Sequence, residues 1–162
     1  MTDRELRGAL GQFATGVCLI TVDDEQSGQL ALTANSFSSV SLDPPLVLWS
    51  IQNNSDCYRE YTDCGFFGIS VLASEHEALS NHYAKKGNHA IDADRFTLDK
   101  QGTPLLTNAL ANFSCATHAV IDAGDHQIIV GRVIDFSTNN GTPLLFYGGK
   151  YDRLRATGQA EL

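Results

Sequence analysis

Basic residues are scarce in this chain: 11 Lys and Arg stand against 19 Asp and Glu, for a formal charge of −8. Phosphate backbones are held chiefly by clustered Lys and Arg, so nucleic acid is excluded as a partner. A small phosphate-bearing ligand is not, because backbone N–H groups and hydroxyls can hold one without net positive charge. No apolar run approaches the roughly 20 residues that span a bilayer. The opening Met1-Thr2-Asp3-Arg4-Glu5 has no signal-peptide core, so a soluble, cytoplasmic protein with no membrane partner is expected. Cys18, Cys57, Cys64 and Cys115 form no C-x-x-C, which argues against a zinc ribbon or thioredoxin-type site and for reduced, structural thiols.

Catalytic signatures are missing as well. There is no G-x-S-x-G elbow and no H-E-x-x-H, and His76, His82, His89, His118 and His126 lack the short pairings of metal sites, so no protein-built metal site is expected. No G-x-G-x-x-G opens a helix after the first strand, which removes support for the usual dinucleotide fold. What remains is 162 residues with 43% hydrophobic and 19% charged side chains, enough for one domain, 1–162, with a core that needs no staples.

The densest chemistry lies in Thr33 to Pro45, T-A-N-S-F-S-S-V-S-L-D-P-P. Thr33, Ser36, Ser38, Ser39 and Ser41 supply hydroxyls and Asn35 a carboxamide, and a strand tolerates so many only if they face solvent or a bound polar molecule. Pro44-Pro45 is expected to end the segment sharply, since proline offers no N–H to a ladder.

Along the chain, Leu6, Ala9, Leu10 and Phe13 mark one face of a helix over Arg4 to Ala14, with Leu10 and Phe13 packing inward. Val17 to Val22 and Gln29 to Leu42 read as a strand hairpin, and Leu46 to Ile51 as a further strand. Ser55 is placed to cap a helix over Asp56 to Cys64, followed by a strand over Phe66 to Leu72. Ser74-x-x-Glu77 has capping-box spacing for a helix reaching about Lys86. Gly87 to Thr103 is expected to be a loop with little regular structure, and Leu106 to Ala111 a helical turn. Phe113 to Ala123 and His126 to Ser137 then form strands joined at Ala123-Gly124-Asp125, with Leu144 to Tyr147 last. Many short strands with tight connections fit a mainly β, antiparallel barrel with peripheral α-helices. His126 stands at the mouth of a hairpin, where a side chain reaches a pocket while the wall fixes its backbone.

These pieces, in order, resemble the flavin reductase-like family, the reductase components of two-component flavin-dependent monooxygenases. The likeness rests on F-A-T-G-V (Phe13 to Val17), T-A-N-S-F-x-S-V-S-L-D-P-P-L-V (Thr33 to Val47), S-x-x-x-x-S (Ser50 to Ser55), D-R-F (Asp94 to Phe96), A-L-A-x-F-x-C (Ala109 to Cys115), G-D-H (Gly124 to His126) and P-L-L-F-Y-x-G-x-Y (Pro143 to Tyr151). The resemblance implies an FMN-binding split barrel that forms a homodimer, takes FMN or FAD near the dimer interface and accepts hydride from NADH or NADPH. It implies a separate oxygenase component that receives the reduced flavin. It puts Thr33, Ala34, Asn35 and Ser36 along the isoalloxazine and ribityl chain, Ser50, Ile51 and Ser55 near the ribityl and phosphate groups, and Lys86 at the phosphate. His126 and Tyr151 fall on the nicotinamide side, for binding and orientation without proton transfer, and Arg95 and Phe96 close over the site. Hydride transfer between nicotinamide C4 and flavin N5 needs stacking and dryness more than a strong acid or base. A non-catalytic flavin carrier or sensor is the alternative. Two departures stand out: Leu30-Ala31-Leu32 where many relatives have glycine, and Cys18 where threonine is common.

Overall fold

A computed structural model describes residues 1–154. Helix α1 (Asp3–Leu10) starts at a true capping box: the Thr2 hydroxyl accepts from the Glu5 N–H, and the Glu5 carboxylate accepts from the Thr2 N–H. Its apolar side does not pack inward as expected. Leu10 is 65% and Phe13 78% exposed, because no other element among the described residues covers that side.

The strands follow as β1 (Thr15–Gly16), β2 (Cys18–Asp24), β3 (Gly28–Ala34), β4 (Ser38–Leu42) and β5 (Pro45–Gln52). Then come α2 (Tyr58–Thr62), β6 (Phe66–Val71), α3 (Glu77–Tyr83), β7 (Phe96–Leu98) and β8 (Pro104–Leu106). The last are β9 (Ala111–Ala123), β10 (His126–Thr138), β11 (Leu144–Tyr147) and β12 (Lys150–Arg153). Seven strands form one antiparallel sheet in the order β3-β2-β6-β9-β10-β5-β4, with β1-β11-β12 and β7-β8 as satellites.

The topology corrects the expected single strand over Gln29 to Leu42. β3 and β4 are consecutive, yet they occupy opposite edges of the large sheet. Residues 35–37 carry the chain from one edge to the other. Four residue steps of at most ~3.6 Å bring those edges within about 14 Å, so the sheet curls into a barrel split along one seam. Pro45 does not end a strand but begins β5, which pairs with β4 around Asp43-Pro44.

Burial on both faces explains the nearly continuous apolar run in β2, broken by the buried Thr21. Cys18, Ile20 and Val22 enter the main core with Trp49, Tyr61, Phe67 and Ile129, whereas Leu19 joins a second core with Leu79, Tyr83 and Phe96 beside α3. Trp49 and Tyr61 meet edge to face at 5.3 Å, and the Tyr61 hydroxyl donates to the Ile20 carbonyl at 2.8 Å, which ties α2 to the barrel.

Local expectations fail where tertiary partners decide. The Ser74-x-x-Glu77 box does not form; a single 3-10 turn over Ser74–His76 precedes α3, and His76 Nδ1 accepts from the Ala73 N–H at 3.0 Å. α3 stops at Tyr83, and α2 is shorter than the Asp56 to Cys64 estimate. The expected loop Gly87 to Thr103 contains β7, whose partner β8 replaces the start of the expected helical turn. β12 was not expected; the turn at Gly148-Gly149, with φ of 57° and 80°, returns the chain onto β11.

Candidate functional site

A cavity of about 310 Å³ opens at the seam. Its wall comes from the end of β3 (Leu32, Thr33, Ala34), the crossing (Asn35, Ser36), β5 (Ser50, Ile51, Gln52), the turn before α2 (Ser55, Asp56), the turn after α3 (Ala84, Lys86, His89) and the first residue of β10 (His126). Thr33, Ala34, Asn35, Ser36, Ser50, Ile51, Ser55, Lys86 and His126, which the sequence singled out, are thus brought together. A recess of about 170 Å³ shares Thr33, Asn35 and Ala84 with it and adds Val17, Phe146 and Tyr151. Arg95 and Phe96 line neither space. Phe96 is buried against Tyr83 with ring centroids 6.3 Å apart, and Arg95 lies in a 3-10 turn over Ala93–Arg95.

The polar groups divide into those already occupied and those left free. Ser36 Oγ accepts from the Ser50 N–H at 2.9 Å and donates to the Ser50 carbonyl at 3.2 Å, completing the edge of β5 where β4 has not yet begun. Thr33 Oγ1 donates to the Ser80 carbonyl at 2.7 Å, and the Ser80 hydroxyl meets the Tyr151 hydroxyl at 2.7 Å, so one chain of bonds links cavity to recess. Ile51 buries its side chain in the main core while bordering the cavity. By contrast, the Asn35 carboxamide, the Ser50 hydroxyl and the Lys86 ammonium have no protein partner among the described residues, and Lys86 is the one Lys or Arg in the lining. Unpaired donors and acceptors converging on one cavity are what orient a small ligand.

Asp56 and His89 were not picked out from the sequence. His89 Nε2 lies 2.8 Å from Asp56 Oδ1, and Asp56 Oδ2 accepts from the Gly87 N–H at 2.6 Å. Burial pushes the Asp56 carboxyl up, but the Gly87 N–H and the His89 hydrogen bond and charge outweigh it and hold the group below the usual carboxylate range. Cys57 brings its thiol close enough for Asp56, Cys57 and His89 to hold donor atoms within 4.8 Å of one another. Asp56 and His89 direct theirs at each other, and burial pushes the Cys57 thiol up, so the group is set as a hydrogen-bonded cluster. All four cysteines are free, and burial takes Cys18 and Cys115 to about 12.

Ala31, the residue at the glycine departure, is fully buried and does not line the cavity; its N–H donates to the His89 carbonyl at 2.8 Å, and its carbonyl faces His89 Nδ1 at 3.1 Å. At the opposite flank, His126 Nδ1 lies 2.6 Å from the exposed Asp125 carboxylate, which this bond holds below its usual range. The Asn53 N–H and side-chain amide fix the β9–β10 turn through the Asp125 and Gly124 carbonyls at 2.9 and 3.2 Å.

A curled antiparallel sheet with a polar cavity at its seam and a dry core beneath defines a split-barrel protein built to hold a small ligand. The chain belongs to the flavin reductase like domain family, whose profile matches residues 10–155. It is 41% identical to an FMN reductase (NADH), SmoA, of Agrobacterium fabrum, over 93% of this chain and 85% of that one. It is 39% identical to the reductase component of a flavin-dependent trigonelline monooxygenase of Acinetobacter baylyi, over 91% of this chain and 48% of the relative. Among solved structures, the NADH:FAD oxidoreductase SgcE6 of Streptomyces globisporus, in complex with NAD and FAD fragments, superposes with a TM-score of 0.90 at 35% identity, over 97% of this chain and 96% of that one. Among the described residues no helix is long and apolar enough to cross a membrane.

Proposed function

We propose that this chain is an NADH-dependent flavin reductase that accepts FMN or FAD and supplies the reduced flavin to a separate oxygenase component. The observation that carries the reading is the cavity itself: free Asn35, Ser50 and Lys86 groups beside Thr33, Ala34 and Ile51, in a chain of this family. Bound flavin supplies the hydride-accepting ring. Asn35 donates to and accepts from its polar edge, Ser50 and Ser55 face the ribityl chain, and Lys86 faces the phosphate. The adjoining recess, with Phe146 and Tyr151 on its wall, stacks the nicotinamide and keeps it dry, while His126 orients it without taking a proton. The names of the relatives favour NADH over NADPH and give both FMN and FAD as flavins.

The exposed Leu10, Phe13, Val40, Leu42 and Phe136 support a homodimer, since apolar area of this kind calls for cover. Light scattering that gave a monomer at micromolar concentration would remove that part. Reduced thiols and a nicotinamide donor fit a cytoplasmic location, which fractionation checks. The deciding experiment mixes pure protein with FMN or FAD and follows NADH loss; a rate no faster than free flavin alone would defeat the enzyme reading. A flavin-induced thermal shift without turnover would instead indicate a carrier. Asn35→Asp places a carboxylate against electron-rich flavin oxygens and is expected to weaken flavin binding about tenfold, ~1.4 kcal/mol.

A further inference from the structure

We infer that Asp56 and His89 are positioning residues, a clamp that fixes the turn after α3 so that Lys86 faces the phosphate-bearing end of the ligand; this rests on the cavity being the flavin site. Otherwise, among the described residues, the turn is held by its own backbone bonds, from the Lys85 N–H to the His82 carbonyl at 3.3 Å and from the Asn88 N–H to the Lys85 carbonyl at 3.2 Å. Ala84, Lys85, Lys86 and Gly87 are all exposed, and Gly87 has φ of 80°, a backbone state that a side chain strains. Lys86 projects from this segment with no partner of its own among the described residues.

Order begins just beyond it. The Ala31 N–H donates to the His89 carbonyl, the Ile91 N–H donates to the Gln29 carbonyl at 3.1 Å, and Leu30 bridges Ala90, so residues 89–91 lie antiparallel along the free edge of β3. His89 is 7% exposed, and its ring faces acceptors at both nitrogens, the Ala31 carbonyl and the Asp56 carboxylate. Asp56 comes from a different part of the chain, the turn between β5 and α2, and its second oxygen accepts the Gly87 N–H. One carboxylate therefore joins three segments: the end of β5, the turn bearing Lys86 and, through the imidazole, β3. Lys86 is bracketed between the last turn of α3, where the Ala84 N–H donates to the Ser80 carbonyl at 3.1 Å, and the Gly87 bond to Asp56.

The arrangement also answers an electrostatic objection. Asp56 would repel a phosphate if its charge stood open to the cavity. Asp56 Oδ2 accepts from the Gly87 N–H and Oδ1 meets His89 Nε2 at 2.8 Å, so both oxygens have partners, and among the described residues Lys86 is the one Lys or Arg lining this flank. A clamp of this kind acts on binding by removing the cost of ordering the turn when ligand arrives.

The test compares FMN with riboflavin, which has the same ring and ribityl chain but no phosphate, by flavin fluorescence quenching. Asp56→Ala and His89→Ala are each expected to raise the Kd for FMN about tenfold and that for riboflavin by less than about twofold. Lys86→Met should show the same selectivity, and Asp56→Ala added to Lys86→Met should cause no further loss, because the clamp works through the lysine. Asp56→Asn keeps one of the two acceptors, should lose FMN affinity to a smaller extent than Asp56→Ala, and also serves if the alanine variant fails to fold. Equal loss for both flavins, multiplying effects in the double variant, or unchanged FMN affinity in both Asp56 variants would each overturn the clamp. Wild-type protein that binds neither flavin would instead overturn the proposed function.

Discussion

Two histidine–aspartate pairs flank one cavity, and they are built on opposite principles. His89 and Asp56 come from segments 33 residues apart, and the imidazole is buried. His126 and Asp125 are neighbours in a hairpin turn, with the carboxylate 91% exposed. In the first pair a buried imidazole meets a carboxylate that is still 36% exposed, so losing the imidazole strands the Ala31 C=O while Asp56 keeps the Gly87 N–H and water. The exposed pair stays solvated and contributes little to stability, which leaves His126 free to change partners when a substrate arrives. One pair holds the wall; the other handles what enters.

That contrast can be broken first by thermal unfolding. His89→Ala removes the partner of Asp56 and of the Ala31 carbonyl and is expected to cost about 2 kcal/mol, or a Tm lower by roughly 4–8 °C for a chain of this size. His126→Ala should stay within about 0.5 kcal/mol; equal losses would erase the distinction. A smaller effect lies in acid. Because the folded Asp56 carboxyl sits below its unfolded value, its contribution is complete above the ordinary carboxylate range and disappears as pH falls through the lower, folded value. Asp56→Asn should therefore flatten the acid limb of stability against pH, whereas Asp125→Asn, whose carboxyl is also held low but stands in solvent, should flatten it less in denaturant titrations. The smallest effect is kinetic: His126→Ala is expected to raise the KM for NADH about fivefold, ~1 kcal/mol. A larger change in flavin affinity than in that KM would move His126 to the flavin side.

Legibility followed the range of the interactions. The T-A-N-S run was readable because its chemistry is local: small polar side chains in a strand need a reason within the segment itself. That Ser36 staples β5 and that residues 35–37 bridge two sheet edges was not, because a strand pattern carries no information on which neighbour it will meet. His89 gave no signal for the same reason; its meaning depends on Asp56 and on a β3 edge folded against it. The capping boxes make the point from both sides. Thr2-x-x-Glu5 forms at a helix end facing water, where local bonds win, while Ser74-x-x-Glu77 loses to His76, which reaches the Ala73 N–H from a buried turn. Leu10 and Phe13 had helical spacing for a core, yet amphipathicity states only that one side wants cover, not which molecule provides it.

The crossing at 35–37 has a consequence for motion. Since three residues join the two edges of the sheet, widening the seam must disturb Ala34, Phe37 and the Ser36–Ser50 bonds together, as a single opening event rather than separate frayings. A ligand seated there behaves as mortar between two courses of one wall. Amide exchange on β3 and β5 would slow in step when it binds, although the two strands share no ladder.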